Sequence, residues 1–199
     1  MDEIEGFAKM DVVRKSGEET LKSNGRELDV RLIDFWRWSA SDLVGNTMRG
    51  VFAEYIVARA LNVGGGIRTE WDAYDLQIPS GITIEVKSAA YLQSWEHRKL
   101  SNISFKIPPT RSWNATTNTL DNEVKRQADI YVFCHLTPTN KTDLDPLQLE
   151  QWDFYILPTS VLNEKYPTQK TISLSSLLNL NPCRATFEEI AACVERTAS

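Results

Sequence analysis

The chain has 199 residues, 42% hydrophobic and 25% charged, with a net charge of −5 and a pI near 5.2. That length supports one sizeable core and suggests a single domain over 1–199. The acidic balance excludes a strongly basic, indiscriminate DNA binder.

No apolar run approaches the roughly eighteen residues of a membrane span. The start, Met1-Asp2-Glu3-Ile4-Glu5, is acidic where a secretory signal is basic and then apolar. A cytoplasmic location is therefore expected. Cys134, Cys183 and Cys193 are odd in number and widely spaced. They suggest neither a disulfide framework nor a zinc site, and Cys134, in an apolar run, reads as a core residue.

Residues 1–25 are polar and charged, with helical patches around Ile4–Val13 and Gly17–Leu21, and read as a loosely packed N-terminal arm. Leu28, Leu32, Phe35 and Trp36 fall at the spacing of an amphipathic helix. Trp36 and Trp38 read as core or cap residues. The strongest helix spans about Thr47–Asn62, capped by Ser41 or Asn46. Its stripe is Met48, Val51, Phe52, Tyr55 and Ile56, with Arg59 either snorkelling or paired. Gly64-Gly65-Gly66 reads as its exit turn. Glu54 lies off that stripe.

Residues 75–78 and 82–87 alternate as strands do, around the turn Pro79-Ser80-Gly81. A loop with Ser80 at its tip sets Ile78 against Ile82, Gln77 against Thr83, Leu76 against Ile84 and Asp75 against Glu85. Leu76, Ile78, Ile82, Ile84 and Val86 then share a buried face, and Asp75, Glu85 and Lys87 the other. Cβ atoms directly opposite in a hairpin lie roughly 4.5–5.5 Å apart, where like charges destabilise. Two carboxylates so close either raise one pKa or recruit a cation. Mg²⁺ takes oxygen ligands and is commonly held by one or two carboxylates plus substrate phosphates. Lys87 points to the same side, within reach of a water or a phosphate oxygen. Glu85 and Lys87 also fit an exposed charge ladder on a half-solvated sheet.

Ile103, Phe105 and Ile107 alternate as a third strand, stopped by Pro108-Pro109. A short helix is expected at Asn122–Gln127. The run 128–136 is almost continuously apolar, the mark of a strand buried on both faces. Residues 152–158 form another strand, followed by a short helix capped by Thr159 or Ser160. Ile172–Leu178 reads as a short strand and turn, and Thr186–Arg196 as a closing helix with Glu188 and Glu189 in its first turn. The order fits a mixed α/β sheet flanked by helices.

At Asp75 and Glu85-Val86-Lys87 the chain resembles the PD-(D/E)xK nuclease superfamily, although Tyr74 stands where that signature has proline. The resemblance implies a restriction-endonuclease-like fold and a metal-dependent nuclease acting on DNA. It implies Mg²⁺, with Mn²⁺ substituting, held by Asp75, Glu85 and the Val86 carbonyl, with Asp75, Glu85 and Lys87 catalytic. Glu54 and Gln93 are the additional site residues it suggests. His97, Arg98, Lys99, Lys106 and Arg111, with Lys125 and Arg126 beyond, would contact phosphates, the alternative being a mixed-charge solvated surface. A homodimer would suit cutting both strands. The competing readings are an inactive module that binds nucleic acid or protein on the same fold, and an enzyme for another phosphate-containing substrate.

Overall fold

The computed structural model describes residues 10–68, 73–111, the backbone of 113–114, and 119–198. The chain divides into two units, Met1–Ser41 with Gly66–Arg68, and Asp42–Gly65 with Thr69–Ser199.

In the first unit, β1 (Thr20–Ser23) and β2 (Arg26–Arg31) pair antiparallel, with Lys22 opposite Glu27 and Ser23 opposite Arg26. Asn24 and Gly25 between them both have positive φ, 49° and 75°. That is the two-residue turn whose twist matches a hairpin. Helix α1 (Leu32–Ala40) follows directly. No helix forms at the Gly17–Leu21 patch, whose last two residues, Thr20 and Leu21, belong to β1. Leu28 belongs to β2, because the Asn-Gly turn dictates an extended partner before a helix can start. Residues 10–13 are not helical, and the rest of the Ile4–Val13 patch lies outside the described residues. Trp36 sits where a Cβ on Gly17 would meet its ring at 2.9 Å. Trp38 is 83% exposed, contrary to the core reading.

The second unit is built on a mixed sheet ordered β11–β9–β8–β4–β3, five strands among the described residues. These are β3 (Leu76–Gln77), β4 (Thr83–Ala90), β8 (Ile130–Leu136), β9 (Trp152–Pro158) and β11 (Cys183–Ala185). β4 and β8 run parallel and the other neighbours antiparallel. Every residue of β8 is buried, as its unbroken apolar run requires. Outside this sheet, β5 (Ser104–Lys106) pairs with β10 (Thr171–Ser173), and β6 (Trp113–Asn114) with β7 (Thr119–Leu120). Ile103, Phe105 and Ile107 do point inward.

Helices cover both faces. On one side, α2 (Asn46–Ala60) and α5 (Ile190–Ala198) pack Ala53, Ile56, Val57, Ile190 and Val194 against Ile84, Val86, Ile130, Val132 and Ile156. On the other, Phe105, Ile107, Leu162 of α3 (Thr159–Lys165), Ile172 and Leu177 of α4 (Leu174–Leu178) cover Ala89, Tyr131, Phe133 and Tyr155. Burying each large aliphatic side chain contributes about 1.5–3 kcal/mol.

Several expectations are corrected here. The buried face of α2 is Arg49, Ala53, Glu54, Ile56, Val57 and Ala58, while Tyr55 is 53% exposed. Arg59 is exposed, lying against Gly64. The helix begins after Gly45 without a side-chain cap. It ends at Ala60, with Asn62 left-handed at φ 58°, so Asn62 rather than the triple glycine makes the exit. No helix forms at Asn122–Gln127; Lys125 instead bridges Thr110. Thr186 closes a capping box with Glu189 before α5. Cys183 and Cys193 are joined by a disulfide between β11 and α5. A bond that joins a strand to a helix packed on it comes from tertiary proximity, which cysteine spacing does not carry.

Candidate active site

The β3–β4 hairpin forms in the expected register, Leu76 opposite Ile84 and Gln77 opposite Thr83. The Ile78 amide donates to the Ile82 carbonyl at 3.1 Å and the Gly81 amide to the Ile78 carbonyl at 2.9 Å. Gly81 has φ 92°. Glycine is needed there because any Cβ would be strained.

The ladder stops one pair short of Asp75 and Glu85. The Asp75 amide turns onto the Ile84 carbonyl at 3.1 Å, and its carboxylate accepts a hydrogen bond from the Val86 amide at 2.7 Å. The facing pair of the regular register is thus replaced by a side chain that caps the next residue's backbone. Like charge explains the departure, since the cap draws the Asp75 carboxylate onto an N–H. Amide and carbonyl of one strand residue point the same way. The Val86 carbonyl therefore faces the β3 edge beside Asp75.

Glu85 and Lys87 project from the other face of β4 and form an ion pair, with side chains 21% and 27% exposed. Burial pushes the Glu85 carboxyl above its ordinary range, the Asp75 charge pushes it further, and Lys87 only partly offsets both. Two carboxylates and one ammonium leave an excess of negative charge in a half-buried place. Hard oxygen donors of this kind suit a divalent cation such as Mg²⁺. Among the described residues no three His, Cys, Asp or Glu side chains gather as a ready-made metal nest.

Tyr131 was not foreseen. It lies beside Glu85 in the parallel β4–β8 register, buried to 4% exposure, with its ring stacked on Phe133 at 5.7 Å. Burial, and then the Glu85 charge, push its phenol well above the usual range. An aromatic inside an apolar run looks like core, and only strand pairing reveals its neighbour.

The remaining candidates separate. Glu54 is buried, at 8% exposure, rather than solvated. Its helix covers the Ile84–Val86 face of the sheet, opposite the one that carries Glu85 and Lys87. Gln93 is also buried: its side chain accepts from Arg49 at 3.4 Å and donates to Ser101 at 3.3 Å, and its backbone N–H donates to His97 Nε2 at 3.3 Å. Arg49, at 4% exposure, also donates to the Val44 carbonyl at 2.8 Å and to Asn46 at 2.7 Å. Both nitrogens of His97 are engaged, Nδ1 with the Lys99 carbonyl at 2.9 Å. This ties its ring to the 93–99 loop rather than to a phosphate.

Arg98, Lys99, Lys106 and Arg111 are exposed. Arg126 is not available to phosphate, because it is buried and donates to the carbonyls of Ile107, Tyr166 and Gln169 and to Asn163.

The family model of bacteriophage T4 endonuclease IV matches residues 9–176. The chain belongs to that endonuclease family. The match spans the hairpin, β8 and β9, so the acidic pair and Lys87 lie inside the endonuclease region. No curated protein matches. Among solved structures, the chain is similar to a bacterial homing endonuclease, I-Ssp6803I, at 22% identity, covering 65% of this chain and 78% of that one with a TM-score of 0.33. No helix among the described residues is long and apolar enough to cross a membrane.

Proposed function

We propose that this endonuclease-family chain is a Mg²⁺-dependent enzyme that hydrolyses phosphodiester bonds in DNA, on a restriction-endonuclease-like core. The observation that carries the reading is the meeting of Asp75, Glu85 and Lys87 at the open end of the β3–β4 ladder. Asp75, Glu85 and the Val86 carbonyl would hold the cation, with substrate phosphate and water completing its oxygen shell. When bound, the cation lowers the pKa of water and offsets charge on the phosphate.

The residues of the chain supply the rest. The Val86 amide fixes the Asp75 carboxylate, so its orientation is set before substrate arrives. Lys87 positions the attacking water and its ammonium stabilises charge on the phosphate. A P–O bond forms from that water, a P–O ester bond breaks, and the departing oxygen takes a proton. Arg98, Lys99, Lys106 and Arg111 would guide the backbone by charge. Mn²⁺ is expected to substitute, and a two-fold dimer would place two such sites on two strands.

A crystal soaked in Mn²⁺ tests the metal assignment. Anomalous density between Asp75 and Glu85 is expected. Carboxylates pointing apart, with no density there, would return the pair to a surface charge ladder.

A further inference from the structure

We propose that the Tyr131 hydroxyl is a hydrogen-bond donor to a non-bridging oxygen of the scissile phosphate. The proposal rests on the reading of Asp75, Glu85 and Lys87 as the cleavage site.

Strand register makes the first argument. Glu85 and Tyr131 are partners across the parallel β4–β8 pair, and Lys87 is partner to Phe133. Neighbouring strands lie about 4.8 Å apart, and partners in register project to the same face. Tyr131 and Phe133 belong to the cluster on the side away from Ile84 and Val86, which is the side of Glu85 and Lys87. Tyr131 thus stands beside Glu85, on the face that also carries Lys87.

Satisfaction of polar groups makes the second. A buried tyrosine hydroxyl ordinarily finds a partner. The Tyr131 ring is held firmly, packed among Phe105, Ile107 and Leu157 and stacked on Phe133. Its hydroxyl nevertheless donates to no described residue, although the Glu85 carboxylate is in the neighbouring register position. Among the described residues its oxygen is not one of the sealed, partnerless buried atoms, Arg49 Nε and the two ring nitrogens of His135. A firmly held ring therefore carries a hydroxyl with no hydrogen-bond partner among the described residues, on the strand next to Glu85.

Chemistry makes the third. A phenol with an ordinary pKa near 10 is a neutral donor at pH 7. It can bond a phosphate oxygen without adding to the negative charge that Asp75 and Glu85 already concentrate, and it does not compete for the cation. Hydrogen bonds to charged acceptors in a preorganised site typically change rates by about 10- to 100-fold.

Tyr131→Phe keeps the ring and removes only the donor. The measurement is single-turnover cleavage of a DNA duplex with Mn²⁺, using an ordinary phosphodiester and each of the two phosphorothioate diastereomers at the cleaved position. The variant is expected to cut the ordinary substrate about 10- to 100-fold more slowly at unchanged Tm. That deficit should shrink for the one diastereomer whose sulfur replaces the oxygen that Tyr131 contacts. A wild-type rate, or an equal deficit on all three substrates, would overturn the proposal. So would a lowered Tm, because it would mean the hydroxyl is already bonded within the protein. Lys87→Ala run alongside separates the two levels: if it is inactive while Tyr131→Phe is normal, only the tyrosine role fails. If both cut normally, the site reading fails first.

Discussion

The Asp75 carboxylate accepts a hydrogen bond from the Val86 amide at 2.7 Å, at the point where the β3–β4 ladder ends. One carboxylate is thereby fixed next to a second, Glu85, whose ionisation it opposes. The strain of that arrangement is electrostatic.

Asp75→Asn retains an oxygen that can accept from Val86 and removes the charge. Tm is expected to stay near the wild-type value while Mn²⁺ binding, read by calorimetry, is lost. Asp75→Ala also strands a buried amide, at a cost of about 1–3 kcal/mol. That is a fall of roughly 2–12 °C for a chain of this size. Equal melting of the two variants would contradict the capping role.

Glu85 has a raised folded pKa, so the folded chain keeps a proton that the unfolded chain releases above about 4.5. Its contribution to stability is greatest below that value and is lost as pH rises through the higher folded pKa. Glu85→Gln is therefore expected to melt higher than wild type at pH 7, with the gap closing near pH 4. Cleavage should show an acid limb above the ordinary carboxylate range, and more Mg²⁺ should move that limb to lower pH because cation and proton compete for the same oxygens. An acid limb indifferent to Mg²⁺ would argue against a cation on Glu85.

Gln93 is engaged by Arg49, Ser101 and the 93–97 loop. Gln93→Ala is expected to cost about 1 kcal/mol of stability, and to leave the chemical step within a few-fold of wild type. A collapse of cleavage at unchanged Tm would instead make Gln93 a substrate contact.

The Cys183–Cys193 bond closes a short loop with a sequence separation of 10, tying β11 to α5. In the chain-entropy account such a loop contributes about 2–3 kcal/mol. Dithiothreitol, or Cys183→Ser, is expected to lower Tm without changing the cleavage rate of the folded protein. An unchanged Tm under reduction would contradict a structural role for the bond.

Much of the hairpin was legible from local chemistry. Pro79-Ser80-Gly81 and two alternating runs specify both the turn and the pairing of Leu76 with Ile84 and Gln77 with Thr83. The unbroken apolar run of β8 announced a central strand for the same reason. What sequence could not supply was tertiary. The Asp75 side chain leaves the ladder to cap Val86, and Tyr131 reaches Glu85 only through a parallel pairing between distant segments. Arg126 shows the converse: in the sequence it looked like a phosphate contact, yet four carbonyl and amide oxygens absorb its donors inside the fold. The Asn24-Gly25 hairpin was readable and was overridden by the helical spacing of Leu28, Leu32, Phe35 and Trp36. A two-residue turn with both φ values positive is the stronger local constraint.

The most direct test of the central claim is DNA cleavage by Lys87→Ala beside wild type, each with Mg²⁺ and with excess chelator. Wild type is expected to cut only with the cation present, and the folded variant to cut in neither condition. Full cleavage by Lys87→Ala, or by wild type in chelator, would contradict the account.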